Sequence, residues 1–216
     1  MNIEYYNDGY PYIVIDDVYD TNELNLIWRE LDFLLDGNKF DEPEKTGSAV
    51  GNDVVLKKNG GIWLDDAYSD RKFSNILTCN RKLYKELESI WSGSESWWFR
   101  SLLGSKSILN QDYTLLSYYD QEDYYKPHYD KSILTSLTWL YREPKGFDGG
   151  DFILNPTMDK KHLLNETTGS ETVELKSNRT VMFPGIIPHQ VTSVKMNCKN
   201  KKGMGRFCIS NFLNTA

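Results

Sequence analysis

The chain has 216 residues, 26% of them charged and 13% aromatic, and its 25 Lys and Arg against 31 Asp and Glu give a formal net charge of −6. That length suits one large domain or two small ones with a proper core, and the negative balance repels a polyanion at long range, which argues against nucleic acid as a partner. No apolar stretch approaches the roughly 20 residues that span a bilayer, and the start MNIEYYNDGYPY lacks the basic-then-apolar pattern of a secretory leader, so the expectation is a soluble, cytoplasmic protein with no membrane partner.

In chain order, residues Tyr10 to Asp16 alternate as a short strand. Asp20-Thr-Asn-Glu23 has the form of a capping box. Leu24, Ile27, Trp28, Leu31, Leu34 and Leu35 follow at helical spacing, and the helix is expected to end near Asp36-Gly37, where glycine can take a left-handed cap. Residues 38–61 are polar, charged and glycine-bearing apart from Val54-Val55-Leu56, which predicts a long loop or flexible hairpin of the kind that often carries function. A second helix is predicted from Ser69 to Trp91, with Phe73, Ile76, Leu77, Leu83, Tyr84, Leu87, Ile90 and Trp91 on one face. Trp97, Trp98 and Phe99 read as core or hinge packing.

From Gln111 the periodicity shortens. Candidate strands are Tyr113 to Tyr119, Ile133 to Tyr141, Asp151 to Leu154, Thr172 to Leu175, Thr180 to Phe183, Gln190 to Val194 and Arg206 to Leu213. Helices first and many short strands afterwards predict an α+β chain with a β-sandwich or barrel in its C-terminal half. The helices must cover a sheet, so 1–216 is expected to be a single domain, with 1–104 as largely helical support and 105–216 as the β core. Cys79, Cys198 and Cys208 are odd in number and lack a C-x-x-C grouping, which points to neither a disulfide framework nor a thiolate metal site.

The chemistry-bearing residues lie in that C-terminal half. In YTLLSYYDQEDYYKPHYD, Tyr113 to Asp130, His128 and Asp130 stand two apart at the end of an aromatic-rich stretch, and in an extended segment such residues share a face. A second histidine, His189, follows the proline-glycine turn of RTVMFPGIIPHQVTSV, while His162 in DKKHLL reads as surface. Two imidazoles and a carboxylate make a facial triad that leaves coordination positions open, as in Fe(II) enzymes that bind a cosubstrate together with oxygen. Zinc is equally admissible on ligand types alone. Arg206 then opens GRFCISNFL; on a strand beside the metal strand it can grip a distant carboxylate by two parallel hydrogen bonds, which a zinc hydrolase does not need.

Taken together, H-x-D, the distal histidine and the late arginine resemble the 2-oxoglutarate, Fe(II)-dependent oxygenases. The wording of YYDQEDYYKPHYD, LTSLTWLYREPKGFDGGDFIL, FPGIIPHQVTSV and GRFCISNFL resembles the prolyl 4-hydroxylase-like branch in particular. About half the chain carries this resemblance. It implies a double-stranded β-helix, or jelly roll, with the N-terminal helices packed on its larger sheet. It also implies that His128, Asp130 and His189 bind Fe(II), and that Arg206 pairs with the far carboxylate of 2-oxoglutarate. Tyr119 would hydrogen-bond that cosubstrate, with Tyr118 as the register alternative. Trp139 stands where relatives often carry another cosubstrate tyrosine, so one hydrogen bond is missing or supplied elsewhere. Glu122 and Asp123 stand where many relatives have glycine.

The activity so implied is hydroxylation by O2 with release of succinate and CO2, ascorbate being the accessory reductant and 38–61 a cover over the substrate. The leading substrate is a proline in a peptide or protein. A free amino acid or other small molecule is the alternative, and a non-catalytic cupin-like metal-binding module a further one. Nucleic-acid demethylation fits less well, because Phe212 stands where a second arginine is expected.

Overall fold

Apolar residues on alternate positions of a strand give a sheet two usable faces, and the large sheet of this chain buries both. The structure is a computed structural model that describes residues 1–6, 11–47, 50–51, 54–91, 109–154, 170–197 and 202–215. The elements run β1 (Asn2–Tyr6), β2 (Tyr12–Asp16), α1 (Thr21–Asp36), β3 (Val50–Gly51), β4 (Val54–Val55), β5 (Gly60–Trp63), the one-turn α2 (Leu64–Ala67) and α3 (Asn75–Trp91). They continue with β6 (Gln111–Tyr119), β7 (Tyr125–His128), β8 (Leu134–Leu140), β9 (Phe147–Gly149), β10 (Phe152–Leu154) and β11 (Glu171–Val173). Last come β12 (Arg179–Pro184), β13 (His189–Val191), β14 (Val194–Met196) and β15 (Arg206–Asn214). Seven strands form an antiparallel sheet in the order β1-β2-β12-β8-β15-β6-β5, and four form a second sheet, β11-β10-β13-β7. Facing each other, they make the jelly roll.

One core lies between the large sheet and the helices, where Ile15, Leu116, Met182, Phe207 and Ile209 meet Ile27, Leu31 and Leu34 of α1 and Ile76, Leu83 and Leu87 of α3. The other lies between the sheets: Val14, Leu137, Trp139, Val181, Phe183 and Cys208 face Phe152, Leu154, Val173 and Val191. Phe207 and Ile209 therefore look toward the helices while Cys208 looks into the roll, and a slip of one residue would exchange the two sets. Among the described residues no helix is long and apolar enough to cross a membrane.

The capping box at Asp20 forms as predicted: Asp20 Oδ1 accepts from Asn22 N and Glu23 N at 2.8 and 2.9 Å, and Glu23 Oε2 accepts from Asp20 N at 2.9 Å. The other end of α1 differs from expectation. Gly37 stays right-handed with φ −71° and bonds Phe33 O, and the left-handed residue is Asn38, φ 50°, a residue type that tolerates that conformation. The predicted second helix is also shorter than read. A 3-10 turn at Arg71–Phe73 precedes it, and Ser74 Oγ accepts from Leu77 N at 3.1 Å. The buried carboxylate of Glu30 in α1 accepts from Ser74 Oγ and Ile76 N at 2.7 and 3.0 Å, so a neighbouring helix satisfies one of the orphan N–H groups of α3 and Ser74 another.

Segment 38–61 is a loop only in part. Its described portion contains the β3–β4 hairpin, with Val50 opposite Val55, and its end is paired to both sheets. Lys126 N donates to Leu56 O at 2.7 Å and Lys58 N to Tyr124 O at 3.0 Å, while β5 lies against β6 with Gly60 opposite Tyr118. Residues 48–49 and 52–53 lie outside the described residues, as do Trp97, Trp98, Phe99, His162 and Cys198.

Asp16 ties β2 to β12. Its carboxylate accepts from Arg179 Nε and Nη2 at 2.6 and 3.0 Å and from Lys176 Nζ at 3.0 Å, and these hydrogen bonds, Arg179 first, pull it from 3.8 down to about 2. A depressed carboxylate stabilises the fold above its unfolded value and loses that contribution as pH falls through the folded one. Asp16→Asn is therefore expected to lower stability at neutral pH and to flatten the loss between about pH 4 and pH 2. Denaturant midpoints measured across that window check both effects.

Candidate metal and carboxylate site

His128 closes β7 and His189 opens β13, and the two are cross-strand partners in the small sheet, with ring centroids 4.3 Å apart. Asp130 sits just beyond the strand. Its N–H donates to Gly185 O at 2.8 Å, so the Pro-Gly turn that delivers His189 also fixes the carboxylate. A Cβ at Gly185 would come within 2.2 Å of Ser132 O, which is why that turn needs glycine. Asp130 Oδ1 lies 3.9 Å from His128 Nε2 and Oδ2 lies 3.5 Å from His189 Nε2. One donor atom from each of the three residues lies within 4.8 Å of the others.

The imidazoles are oriented from behind. His128 Nδ1 lies 2.8 Å from Lys126 O and His189 Nδ1 3.0 Å from Ile187 O. A carbonyl only accepts, so each Nδ1 carries the hydrogen and each Nε2 turns its lone pair to the cluster. Burial, helped by the neighbouring His189, holds His128 well below the usual imidazole range, which keeps it a neutral ligand. Thr135 Oγ1 donates to Asp130 Oδ2 at 2.7 Å and contacts Ser132 Oγ at 2.7 Å. Thr135→Val keeps the shape and removes that donor, so metal affinity is expected to fall by about tenfold, as read by titration of the metal-free protein.

Two supports were not legible in the sequence. Tyr125 stacks on His128 at 3.4 Å between centroids and 15° between planes, and Lys57 Nζ stands 5.5 Å above the Tyr125 ring. Lys57 is buried, donates to Thr46 O and Oγ1 at 2.5 and 2.8 Å, and is lowered by burial to about 8. Tyr125 announces itself only as one aromatic among many, and Lys57 reads as an ordinary surface charge.

Deeper in the roll, Arg206 is 0% exposed and lies opposite Tyr119 in the β15–β6 register. Its guanidinium carbon is 5.0 Å from the Tyr119 ring centroid and 5.6 Å from that of Trp139. The alternation of β6 turns Tyr119 inward and Tyr118 toward the helices. Tyr118 packs on Phe207 at 4.6 Å, and its hydroxyl accepts from Gly203 N and Gly205 N at 3.1 and 3.2 Å. Gly150, with φ +68°, lets the arginine arm pass: a Cβ there would meet Arg206 Cδ at 3.3 Å and Val194 Cγ2 at 3.0 Å. Asp151 fixes its loop, its N–H donating to Thr192 Oγ1 at 2.8 Å. Glu122 takes φ 64°, a conformation that favours the glycine expected near this turn.

Nε, Nη1 and Nη2 of Arg206 and Nε1 of Trp139 are buried without a hydrogen-bond partner among the described residues. A buried charge in that condition is costly, so these donors suit an anion. Phe152 connects the two halves, lying 5.5 Å from the Trp139 ring and 5.6 Å from His189. The histidine–aspartate donor set fits a divalent metal with open positions. Zinc would satisfy the three donors alone, whereas a group that binds the metal and also carries a carboxylate satisfies the donors and Arg206 together.

Residues 113–214 match the family model described as the 2OG-Fe(II) oxygenase superfamily, a range that contains the metal and cosubstrate candidates read from the sequence, Tyr119, His128, Asp130, Trp139, His189 and Arg206. Comparison with curated proteins gives no match. Among solved structures, the chain is similar to a prolyl-4-hydroxylase from Pseudomonas putida at 12% identity and a TM-score of 0.59, over 96% of this chain and 94% of that one. It is similar to a Trichoplax adhaerens prolyl hydroxylase in complex with a hypoxia inducible factor oxygen degradation domain peptide fragment, at 13% identity and a TM-score of 0.65, over 97% and 84%. A third likeness is to the non-heme alpha ketoglutarate dependent epimerase SnoN from nogalamycin biosynthesis, at 11% identity and a TM-score of 0.55, over 94% and 77%. The shared fold is thus common to proteins that carry out different reactions.

Proposed function

We propose, on the premise that residues 113–214 of this chain belong to the 2-oxoglutarate, Fe(II)-dependent oxygenase superfamily, that the protein is a dioxygenase hydroxylating a proline within a peptide. The balance is one substrate C–H, one O2 and one 2-oxoglutarate giving one C–OH, one succinate and one CO2. Bound iron supplies the redox chemistry that couples the two oxidations. His128, Asp130 and His189 hold it, their geometry kept by the Lys126 and Ile187 carbonyls and the Thr135 hydroxyl. Arg206 takes the far carboxylate of 2-oxoglutarate, and Tyr119 and Trp139 wall it in. The rings of Phe152 and Phe183, 5.6 and 4.8 Å from His189, exclude water behind the metal side.

One observation carries the reading: a fully buried guanidinium without a hydrogen-bond partner among the described residues, in the same interior as three metal donors. Peptidyl proline as substrate is supported by the likeness to prolyl hydroxylases, one of them in complex with a peptide. The rim adds support. Tyr129 and Ile186 are 62% and 61% exposed, and the Asp130–Gly185 hydrogen bond between their neighbours brings them to one edge. An exposed apolar edge beside a buried metal site suits a peptide chain better than a phosphate backbone.

Incubating the protein with Fe(II), 2-oxoglutarate and proline-containing peptides in air, with and without ascorbate, tests this reading. A mass gain of one oxygen on a proline, matched one-to-one by succinate, is expected. Oxygen incorporation confined to free amino acids would overturn the peptide assignment.

A further inference from the structure

We infer that Trp139 is a specificity-determining donor: its indole N–H shares with Arg206 the carboxylate of the cosubstrate, so that this end of the chamber accepts only an ionised acid. The inference rests on the reading of the chain as a 2-oxoglutarate-dependent enzyme and adds to it the residue that selects the cosubstrate's distal group.

Among the described residues, Trp139 is the largest fully buried side chain, at 0% exposure. A buried indole N–H ordinarily finds an acceptor, because leaving it without one is costly, yet Nε1 of Trp139 has none among the described residues. Its position explains what is missing. On β8 it pairs with Cys208 of β15, two residues from Arg206, so the two side chains are diagonal neighbours on the inward face. Arg206 lies 5.6 Å from the indole centroid and brings three more nitrogens in the same condition.

Donors from two strands thus lie side by side, and neither side chain can accept: indole N–H and guanidinium only donate. A group that accepts from both and brings negative charge satisfies them, and on a 2-oxoglutarate that group is the ionised distal carboxylate. A terminal amide or alcohol could accept a hydrogen bond but would leave the arginine charge unpaired. The pocket therefore discriminates by protonation and charge at the end remote from the metal, and Trp139 supplies the donor that a tyrosine hydroxyl would otherwise give.

The test measures binding without turnover. Protein loaded with Mn(II) under nitrogen is titrated calorimetrically with 2-oxoglutarate and with pyruvate, which keeps the metal-chelating keto acid but lacks the distal carboxylate. Trp139→Phe keeps a ring and loses the N–H. We expect it to bind 2-oxoglutarate about tenfold more weakly with pyruvate unchanged, and Trp139→Tyr to recover part of the loss.

Equal 2-oxoglutarate affinity in wild type and Trp139→Phe overturns the inference and leaves the enzyme reading intact. An equal loss for both ligands also overturns it, since Trp139 would then act through packing. No binding of 2-oxoglutarate to the wild type removes the enzyme reading itself. A measurement on the wild type alone covers the case in which the variant does not fold. In the zinc-loaded protein, one of the six tryptophan indole N–H resonances should move downfield on adding 2-oxoglutarate, and no movement of any of them overturns the inference.

Discussion

Arg206→Met is expected to weaken 2-oxoglutarate binding by two orders of magnitude or more while making the ligand-free protein more stable. Both effects follow from the guanidinium being 0% exposed and without a hydrogen-bond partner among the described residues. Two charge-assisted hydrogen bonds at about 1.5–3 kcal/mol each put the affinity loss at two orders of magnitude or more. An uncompensated buried charge costs several kcal/mol. The faces of Tyr119 and Trp139, 5.0 and 5.6 Å from the guanidinium carbon, return about 0.5–2 kcal/mol each. The remaining penalty, about 1–3 kcal/mol, disappears with methionine, whose volume still fills the space under Gly150. Thermal unfolding with and without 2-oxoglutarate reads both effects at once. Wild type should gain stability with ligand, whereas the variant should start higher and gain far less at the same ligand concentration. A variant that melts below the ligand-free wild type would mean that the guanidinium has structural partners.

His189→Ala should lower Fe(II) affinity by more than about 100-fold and reduce oxygenase turnover to background, because three protein donors become two. The fold should survive. His189 lies at a strand start and its carbonyl-bonded Nδ1 serves orientation, so removal of the imidazole takes away a ligand rather than a core anchor. His162→Ala serves as the comparison, with metal affinity unchanged. Metal titration and succinate release on the two variants check the pair, and retention of wild-type affinity by His189→Ala would remove that residue from the metal site.

Most of the site was legible because its signals are local. The two-residue spacing of His128 and Asp130, the proline-glycine turn before His189 and the arginine opening β15 each follow from short-range rules of strand and turn. What was not legible depends on pairing. Tyr118 and Tyr119 are equivalent in sequence, and only the alignment of Arg206 opposite Tyr119 turns one of them inward. The strand Gly60–Trp63 opens on two glycines, which weaken a strand reading of so short a segment; its pairing with β6 makes it a strand. Thr135 and Lys57 give no signal in sequence, since their partners Asp130 and Thr46 come from register and loop closure. Glu30 likewise looks like a solvated helix position until its carboxylate is seen on the first turn of α3.

The central claim is that the three donors and Arg206 serve one bound 2-oxoglutarate. The measurement that tests it most directly is an anaerobic titration of the metal-free protein with Fe(II) and then 2-oxoglutarate, followed in the visible range for the weak charge-transfer band of a keto acid chelated to iron. The account predicts that the band appears on addition of 2-oxoglutarate, is absent in His189→Ala and needs far more ligand in Arg206→Met. Tight metal binding with no band at saturating 2-oxoglutarate would contradict it, and would leave a metal site whose buried arginine serves another anion.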